Sequence, residues 1–373
     1  MKWCKECILP DSRPNLKIED DGVCNACKNH KTKKEIDWKY RQDQLNNLLD
    51  SIKNSSSEYD CLIPVSGGKD STWQTLKCLE LGLKPLAVTW KTPARTNIGG
   101  SNLNNLISLG VDHIDFTINP NVEAKFMWET YRRKGSLAIP MHFAIYNLPL
   151  KIAAKYNIPL VIYGENTAFE YGSVDKSDEG FELTSLWAER YNATVGTTIE
   201  DWYSSELSEK DLRAYTRPTD IELSKVRAIF LGHYFQWDPE DVQEQASKFG
   251  FMRDESGPRT GFYNYADIDC EFISLHHWLK WYKFGFTRLF DNLSLEIRNH
   301  RLSREDALQI IKENNFEPNY DDIESFCKFT NHTIKEFMDV AETFRSTTIW
   351  KKNQNVNSGW YIDDFIINDY KWF

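Results

Sequence analysis

Apolar positions recur along this chain with two different periods, and the switches between them outline its organisation. Residues 31–53 are highly charged, yet Ile36, Trp38, Leu45, Leu48, Leu49 and Ile52 fall on one helical face. This spacing predicts a helix that ties the amino-terminal segment to the main domain, and Asn54-Ser55-Ser56-Ser57 reads as a loop closing it. From Tyr59, short apolar runs alternate with helical patterns. Strands are predicted near residues 61–65, 85–90, 113–118 and 159–163, with helices over 72–81, 101–109, 121–134 and 141–156. Gly82 and Gly110 stop two of those helices.

Strands separated by helices predict an α/β fold, an open parallel sheet with right-handed crossovers and helices on both faces. Ligands of such sheets sit beyond the carboxyl ends of the strands, so the loops at 66–71, 89–100 and 164–172 are expected to converge. The character changes beyond Gly172. Residues 173–198 show no clear period, 200–215 read as a helix and 228–233 as a short strand. Pro239 and the acids around it open a further helix. Residues 275–286, 304–314, 323–329 and 334–344 also have helical spacing. The expected division is an amino-terminal ribbon (1–30), a helical linker (31–57), a sheet domain (58–199) and a mainly helical domain (200–373) that leaves a cleft for substrate.

The chemistry starts in the turn after the first strand, Ser66-Gly67-Gly68-Lys69-Asp70-Ser71. Adjacent glycines let the backbone approach a ligand, and the amides of the turn and of the first helical turn are expected to point outward, unsatisfied. The two serines add hydroxyl donors. The stretch is not a Walker A loop, because G-x-x-x-x-G-K-[ST] is absent. It resembles the PP-loop of the ATP pyrophosphatases, which hold pyrophosphate and transfer AMP to an oxygen. That resemblance makes 58–199 an ATP-binding domain.

Length and charge narrow the classes. A chain of 373 residues buries a substantial core, and its formal charge of −10 argues against a broad nucleic-acid surface. No apolar run is long enough to cross a bilayer and no signal peptide follows Met1-Lys2-Trp3, so a cytoplasmic protein without membrane insertion is expected. Eight cysteines then sit in a reducing compartment, where disulfides are rare. Cys4-x-x-Cys7 and Cys24-x-x-Cys27 form two knuckles, with Pro10, Pro14 and Gly22 supplying turns between them. Two knuckles supply the four thiolates of a closed tetrahedral zinc site, which is structural. His30 reads as a solvated helix residue rather than a ligand.

Gly164-Glu165-Asn166-Thr167-Ala168-Phe169-Glu170-Tyr171-Gly172 follows a buried strand directly. It reads either as a surface loop with incidental charges or as a functional loop whose Glu165, with Asp70, holds magnesium on a triphosphate. Lys280 and Lys283 lie three apart beside Trp278, Trp281 and Tyr282. They form either a cationic, aromatic surface for an anionic sugar or a solvated face over an aromatic core. Arg259 sits in Gly257-Pro-Arg-Thr-Gly261, and His276 and His277 fit structural and catalytic roles equally.

These features occur in one order with Tyr163-Gly-Glu-Asn, Glu170-Tyr-Gly172, Trp237-Asp-Pro-Glu240, Lys283-Phe-Gly-Phe-Thr-Arg288, Glu296-Ile-Arg298 and Ser303-Arg-Glu-Asp-Ala307. The whole resembles the N-acetyl sugar amidotransferases of bacterial surface-glycan synthesis, with Ser173 standing where a second glycine is expected. The resemblance implies conversion of an acetamido group on a nonulosonic or diamino-uronic sugar, free or nucleotide-linked, to an acetamidino group. AMP is transferred to the amide oxygen and ammonia displaces it, with ATP, magnesium and zinc as cofactors. Implied catalytic residues are Lys69, Asp70 and Glu165. Nucleotide contacts fall to Ser66, Gly67, Gly68, Lys69, Asp70, Ser71, Thr89, Gly164 and Glu165. Sugar contacts fall to Asn166, Glu170, Tyr171, Arg259, Lys280, Lys283 and Arg288. No glutaminase nucleophile is visible, since Cys61 and Cys78 fall in a strand and a helix, so ammonia is expected from separate glutaminase and cyclase-like subunits. The rival class is a tRNA-thiolating PP-loop enzyme. It needs catalytic cysteines near the nucleotide, whereas Cys270 and Cys327 read as isolated residues in helical segments. A non-enzymatic zinc-ribbon adaptor on an inert nucleotide fold is a further rival.

Overall fold

The computed structural model describes residues 1–53, 57–171, 180–191, 194–354, 356 and 358–372. Most of the expected loop at 54–57, Gly172, and residues 173–179 and 192–193 of the unassigned stretch lie outside them. The first half contains helices α1 (Asn25–Thr32) and α2 (Trp38–Lys53), strand β1 (Cys61–Pro64), α3 (Lys69–Glu80), β2 (Pro85–Trp90), α4 (Asn97–Ile107) and β3 (Asp112–Phe116). There follow α5 (Pro120–Lys134), α6 (Ile139–Tyr156), β4 (Leu160–Tyr163), α7 (Thr167–Tyr171), α8 (Ser185–Tyr191), α9 (Glu209–Leu212) and β5 (Arg227–Phe230). The rest contributes α10 (Pro239–Lys248), α11 (Phe272–Phe284), α12 (Arg288–Arg298), α13 (Arg304–Glu313), α14 (Tyr320–Thr330), α15 (Ile334–Thr343) and a hairpin of β6 (Trp350–Lys352) and β7 (Trp360–Ile362).

Strands β1 to β5 pair in parallel in the order β3-β2-β1-β4-β5. Strand order reverses between β1 and β4, which is the switch point where such sheets bind ligands. Side chains alternate across the sheet: Cys61 and Ile63 enter the core shared with Leu45 of α2 and Trp73 of α3. Leu62 enters the opposite core, shared with Leu148 and Ile152 of α6. The expected α/β architecture with helices on both faces is therefore present. Its fifth strand lies beyond residue 199, where the sequence pattern ends the ATP-binding domain, so the sheet draws on the following segment as well.

Several elements differ from their expectations, and residues 167–171 of the expected 164–172 loop form the short helix α7. Residues 200–215 form a single 3-10 turn, Glu200–Trp202, and the short α9 instead of one helix. Serines interrupt it: Ser204 Oγ accepts from the amides of Glu206 and Leu207, and Ser208 restarts the chain with a capping box to Asp211. Helix α12 and the β6–β7 hairpin are further elements that the sequence reading did not assign.

The amino-terminal ribbon shares one core with the carboxy-terminal helices. Ile8, Leu9 and Leu16 pack with Phe286, Phe290, Ile311 and Phe365. Arg13 Nε donates to Asp291 at 2.7 Å, Ser12 Oγ to the Phe284 carbonyl at 2.6 Å, and Arg304 Nε to the Cys7 carbonyl at 3.2 Å.

Candidate active site

The turn after β1 is shaped by two packing constraints. Gly67 has φ +88°, and a Cβ there would meet the Leu103 backbone nitrogen at 2.5 Å, so α4 closes over the loop as no other residue would permit. The serine hydroxyls turn back on the loop: the Ser66 and Gly67 amides donate to Ser71 Oγ at 3.3 and 3.1 Å, and the Gly68 amide to Ser66 Oγ at 3.3 Å. These amides are thus satisfied inside the turn, contrary to the sequence expectation. Helix α3, by contrast, begins after Gly68 with no side-chain cap, so its first-turn amides are the ones left for an anion.

All three expected loops converge. A cavity of ≈ 440 Å³ is walled by Ser66, Asp70 and Ser71, by Thr89, Trp90, Thr92 and Arg95, and by Gly164 and Glu165. A smaller chamber of ≈ 180 Å³, bounded also by Gly68, Lys69 and Trp237, adjoins it. The two share Ser66, Asp70, Glu165, Asp267, Asp269 and Arg288.

Lys69 is 4% exposed, and its Nζ lies 2.7 Å from both oxygens of Asp70. Trp237 Nε1 donates to Asp70 Oδ1 at 2.9 Å. Burial, together with the negative charge of Asp70, raises Glu165 to about 7. Two carboxylates brought together after neighbouring strands β1 and β4 are a donor set that suits a hard cation. The Gly232 amide donates to the Gly164 carbonyl at 3.0 Å and fixes the backbone that carries Glu165. Thr89 Oγ1 is 2.7 Å from the Val65 carbonyl and 2.8 Å from His113 Nε2.

The carboxy-terminal half supplies a wall that the sequence reading placed only in part. Asp267 adopts φ +57°, in the left-handed region, and accepts from Thr260 Oγ1 at 2.8 Å and Arg288 Nε at 3.2 Å. Burial opposes its charge, yet Arg288 and His277 hold it well below the usual carboxylate range. Burial raises Asp269, an effect the Ser66 hydroxyl partly offsets. Asp267 and Asp269 carried no motif signal. Trp237 did, as part of the Trp-Asp-Pro-Glu run, although nothing in the sequence aimed it at Asp70.

The remaining sugar contacts implied by resemblance lie in other surroundings. Asn166 accepts from the Ala168 amide and Trp187 Nε1, at 3.0 and 3.1 Å. Glu170 pairs with Lys33 of the linker. Arg259 forks onto Asp322 at 2.8 and 2.9 Å, and Lys283 donates to the Gly135 carbonyl at the end of α5 at 2.8 Å. Lys280 lies 3.6 Å from Asp291, and burial lowers its pKa to about 8. The Tyr171 side chain is outside the described atoms. Of that set, Arg288 borders the cavities.

Cys4, Cys7, Cys24 and Cys27 meet as a buried cluster with all sulfurs within 4.8 Å of one another. The Cys4–Cys27 and Cys7–Cys24 separations are 4.0 and 3.8 Å. A tetrahedron with Zn–S of about 2.3 Å has edges of about 3.8 Å, so the set fits zinc with no position left for substrate. Buried Arg298 places a positive charge against Cys7, Cys27 and Cys24, and its Nη1 has no hydrogen-bond partner, which suits an anionic metal–thiolate centre.

The sheet order and the Ser-Gly-Gly-Lys-Asp-Ser loop define a PP-loop-type fold, and part of the second half is similar to a described domain. Residues 245–363 match a family described as LPS biosynthesis protein WbpG-like, C-terminal domain. Among solved structures, the chain is similar to an NH3-dependent NAD synthetase from Campylobacter jejuni, at 17% identity over 58% of this chain and 98% of that one, with a TM-score of 0.30. It is similar also to an NMN synthetase from Francisella tularensis, at 16% identity, 57% and 93% coverage and a TM-score of 0.26. A predicted subunit of tRNA methyltransferase from Methanocaldococcus jannaschii gives 14%, 50% and 75%, with a TM-score of 0.26. These likenesses are distant, and the fold assignment rests on strand order and the loop instead. No curated protein matches the sequence. No helix among the described residues is long and apolar enough to cross a membrane.

Proposed function

We propose that the chain is an ATP-using enzyme of bacterial glycan synthesis that converts a sugar acetamido group to an acetamidino group, releasing AMP and pyrophosphate. One observation carries this reading. Asp267, Asp269, His276, His277 and Arg288 belong to the segment that matches the WbpG-like domain, and they wall the same cavity as the PP-loop. A glycan-synthesis domain that completes a nucleotide site suits a sugar activated by ATP within it. An amide is a poor electrophile. Transfer of AMP to its oxygen makes that oxygen a leaving group, and ammonia can then take its place at carbon.

In this reading the first-turn amides of α3 and the loop from Ser66 to Ser71 receive the pyrophosphate unit, and Asp70 with Glu165 would hold magnesium. When bound, the ion offsets charge developing on the phosphates. Lys69 steadies the Asp70 carboxylate, and Arg288, held by Asp267, presents a cation to an anionic sugar or phosphate. Ammonia would come from separate glutaminase and cyclase-like subunits.

The thiolation reading gains one observation: Cys270 lies in a bridge before α11, not within a helix, and it lines the cavity. Burial pushes its thiol up to about 12, and it sits 2.8 Å from Thr92 Oγ1, so it is held as an unreactive thiol. Cys327 is packed in the helical core. Sugar amidination is therefore preferred.

The deciding experiment uses acetamido sugars labelled with oxygen-18 in the carbonyl, incubated with ATP, magnesium and ammonium. Label should appear in AMP, and the labelled sugar should lose about three mass units as NH replaces the heavy oxygen. Label kept in the sugar, or recovery of ADP, would overturn the assignment.

A further inference from the structure

The cavity has a second wall that the adenylation chemistry does not use. His142 of α6 and His276 and His277 of α11 line it together. The His142 and His276 ring centres are 6.0 Å apart, and those of His276 and His277 are 5.2 Å apart. His277 Nε2 faces Asp267 Oδ2 at 3.4 Å.

His142 has a fixed tautomer. Its Nδ1 lies 2.7 Å from the Ala138 carbonyl, an acceptor only, so Nδ1 carries the proton and Nε2 offers a lone pair. The side chain is half-buried, whereas the Nδ1 atoms of His276 and His277 are buried without hydrogen-bond partners. The groups behind this wall are cations, Lys280 and Lys283 of α11. Burial, reinforced by Lys280, lowers His142 to about 4, so its imidazole is neutral at physiological pH.

The two walls therefore differ in kind. Asp70, Glu165, Asp267 and Asp269 form an acidic side, where ammonia would be held as the unreactive ammonium ion. A neutral imidazole with cations beside it favours free ammonia, and its bare Nε2 can accept a proton once the ammonia nitrogen has bonded to carbon and become acidic.

Resting on the amidination reading, we propose that His142 Nε2 is the proton acceptor for ammonia as it attacks the adenylated sugar. The nitrogen–carbon bond forms while the imidate C=N pair moves onto the sugar nitrogen. One N–H proton passes to His142 Nε2. The carbon–oxygen bond then breaks with its electron pair on AMP as C=N re-forms. The amidine is a stronger base than imidazole and takes the proton back from His142, so the side chain ends as it began.

The test separates the two half-reactions. A panel of acetamido hexoses, acetamido hexuronic acids and acetamido nonulosonic acids is first screened with the unaltered chain for sugar-dependent ATP–pyrophosphate exchange. Absence of exchange with every sugar counts against the amidination reading itself. With the sugar that gives exchange, His142→Ala and His142→Gln are expected to keep exchange within about threefold. Amidine formation from ammonium should fall by about a hundredfold or more, in the range for a lost general base. Added imidazole should restore part of the loss in His142→Ala. Unchanged amidine formation in both variants would overturn the proposal and leave adenylation standing. Loss of exchange and amidination together in both variants would overturn it too, because His142 would then serve the frame of the cavity.

Discussion

Trp237 Nε1 donates to Asp70 Oδ1 at 2.9 Å across 167 residues of sequence, and the same carboxylate is held by Lys69. The indole also lies under the lysine, with Nζ 5.1 Å from the ring centre. One residue at the start of α10 thus orients both members of the charged pair at the mouth of the PP-loop. Trp237→Phe keeps most of the ring and removes the donor. A hydrogen bond to a charged group contributes about 1.5 kcal/mol or more, so exchange should fall about tenfold with little change in unfolding midpoint. Unaltered kinetics for magnesium–ATP would show that Asp70 does not need this contact.

Gly99 makes a second long-range fit. A Cβ there would meet the Asp269 Cα at 2.7 Å and its carbonyl oxygen at 2.9 Å. The start of α4 and the carboxy-terminal wall of the cavity touch backbone to backbone. Gly99→Ala must push Asp269 away from Ser66, so turnover should drop by at least about tenfold although residue 99 lines neither cavity. Gly110→Ala is the control: φ is +104°, with no atom within 4 Å of the added carbon. It should lower stability by about 1–3 kcal/mol through strain while turnover per folded molecule holds. Equal effects of the two substitutions on turnover would remove the packing argument.

The sheet was legible because its cues are local. A four-residue apolar strand, two glycines and a helical period identify β1 and α3 within twenty residues, and the three loops follow from topology. The carboxy-terminal wall was legible only in part, through Arg288 and the His276–His277 pair, because Asp267 and Asp269 sit in a segment with no period and gain meaning only from what folds against them. The lysines at 280 and 283 show the converse. Their spacing suggested a solvated or sugar-facing surface, but α11 is buried on most of its sides, and each cation is used internally, by Asp291 and by the end of α5. Helix α12 carries Leu289, Phe290, Leu293 and Ile297 at helical spacing, but Asp291, Asn292, Ser294 and Glu296 are buried as well, so its apolar period did not show how much of the helix lies inside.

The cysteine cluster should bind one zinc and act through the frame. Arg13 of the ribbon grips Asp291 of α12, the helix that begins with Arg288. Cys24→Ser is expected to lower metal content and solubility and to loosen the sugar side of the cavity before the nucleotide side. Elemental analysis and ATP binding test this together. A protein without zinc that keeps full amidination would sink the assignment, as would an iron–sulfur absorption band in protein purified without oxygen.

Among the described cysteines none is poised for glutamine hydrolysis, since Cys61 and Cys78 are buried within the sheet domain's core. The chain alone should therefore make amidine with ammonium salts and not with glutamine. Glutamine-dependent turnover by the purified chain, with contaminating glutaminase excluded, would be the contrary result.

Glu165 gives a pH dependence of defined sign. Burial and then Asp70 raise it from 4.5 to about 7. Between those values the folded chain keeps a proton that the unfolded chain has lost, so this group's contribution to stability is complete below 4.5 and declines as pH rises toward 7. Glu123, raised to about 8 by burial, acts in the same direction, so the whole-protein curve mixes the two. The difference between the unaltered chain and Glu165→Gln isolates Glu165. Urea midpoints at pH 5.5, 6.5 and 7.5 should converge or cross, with the unaltered chain losing stability relative to the variant as pH rises. Activity runs the other way: the carboxylate is the form that holds a cation, so kcat/KM for pyrophosphate exchange should climb through about pH 7. In Glu165→Gln that rise should vanish, leaving exchange about a hundredfold below the unaltered chain's plateau above pH 7, the scale of one lost preorganised electrostatic contact, with the gap closing as pH falls. Parallel stability curves together with an unchanged activity limb would show that Glu165 is not the group titrating in the cavity.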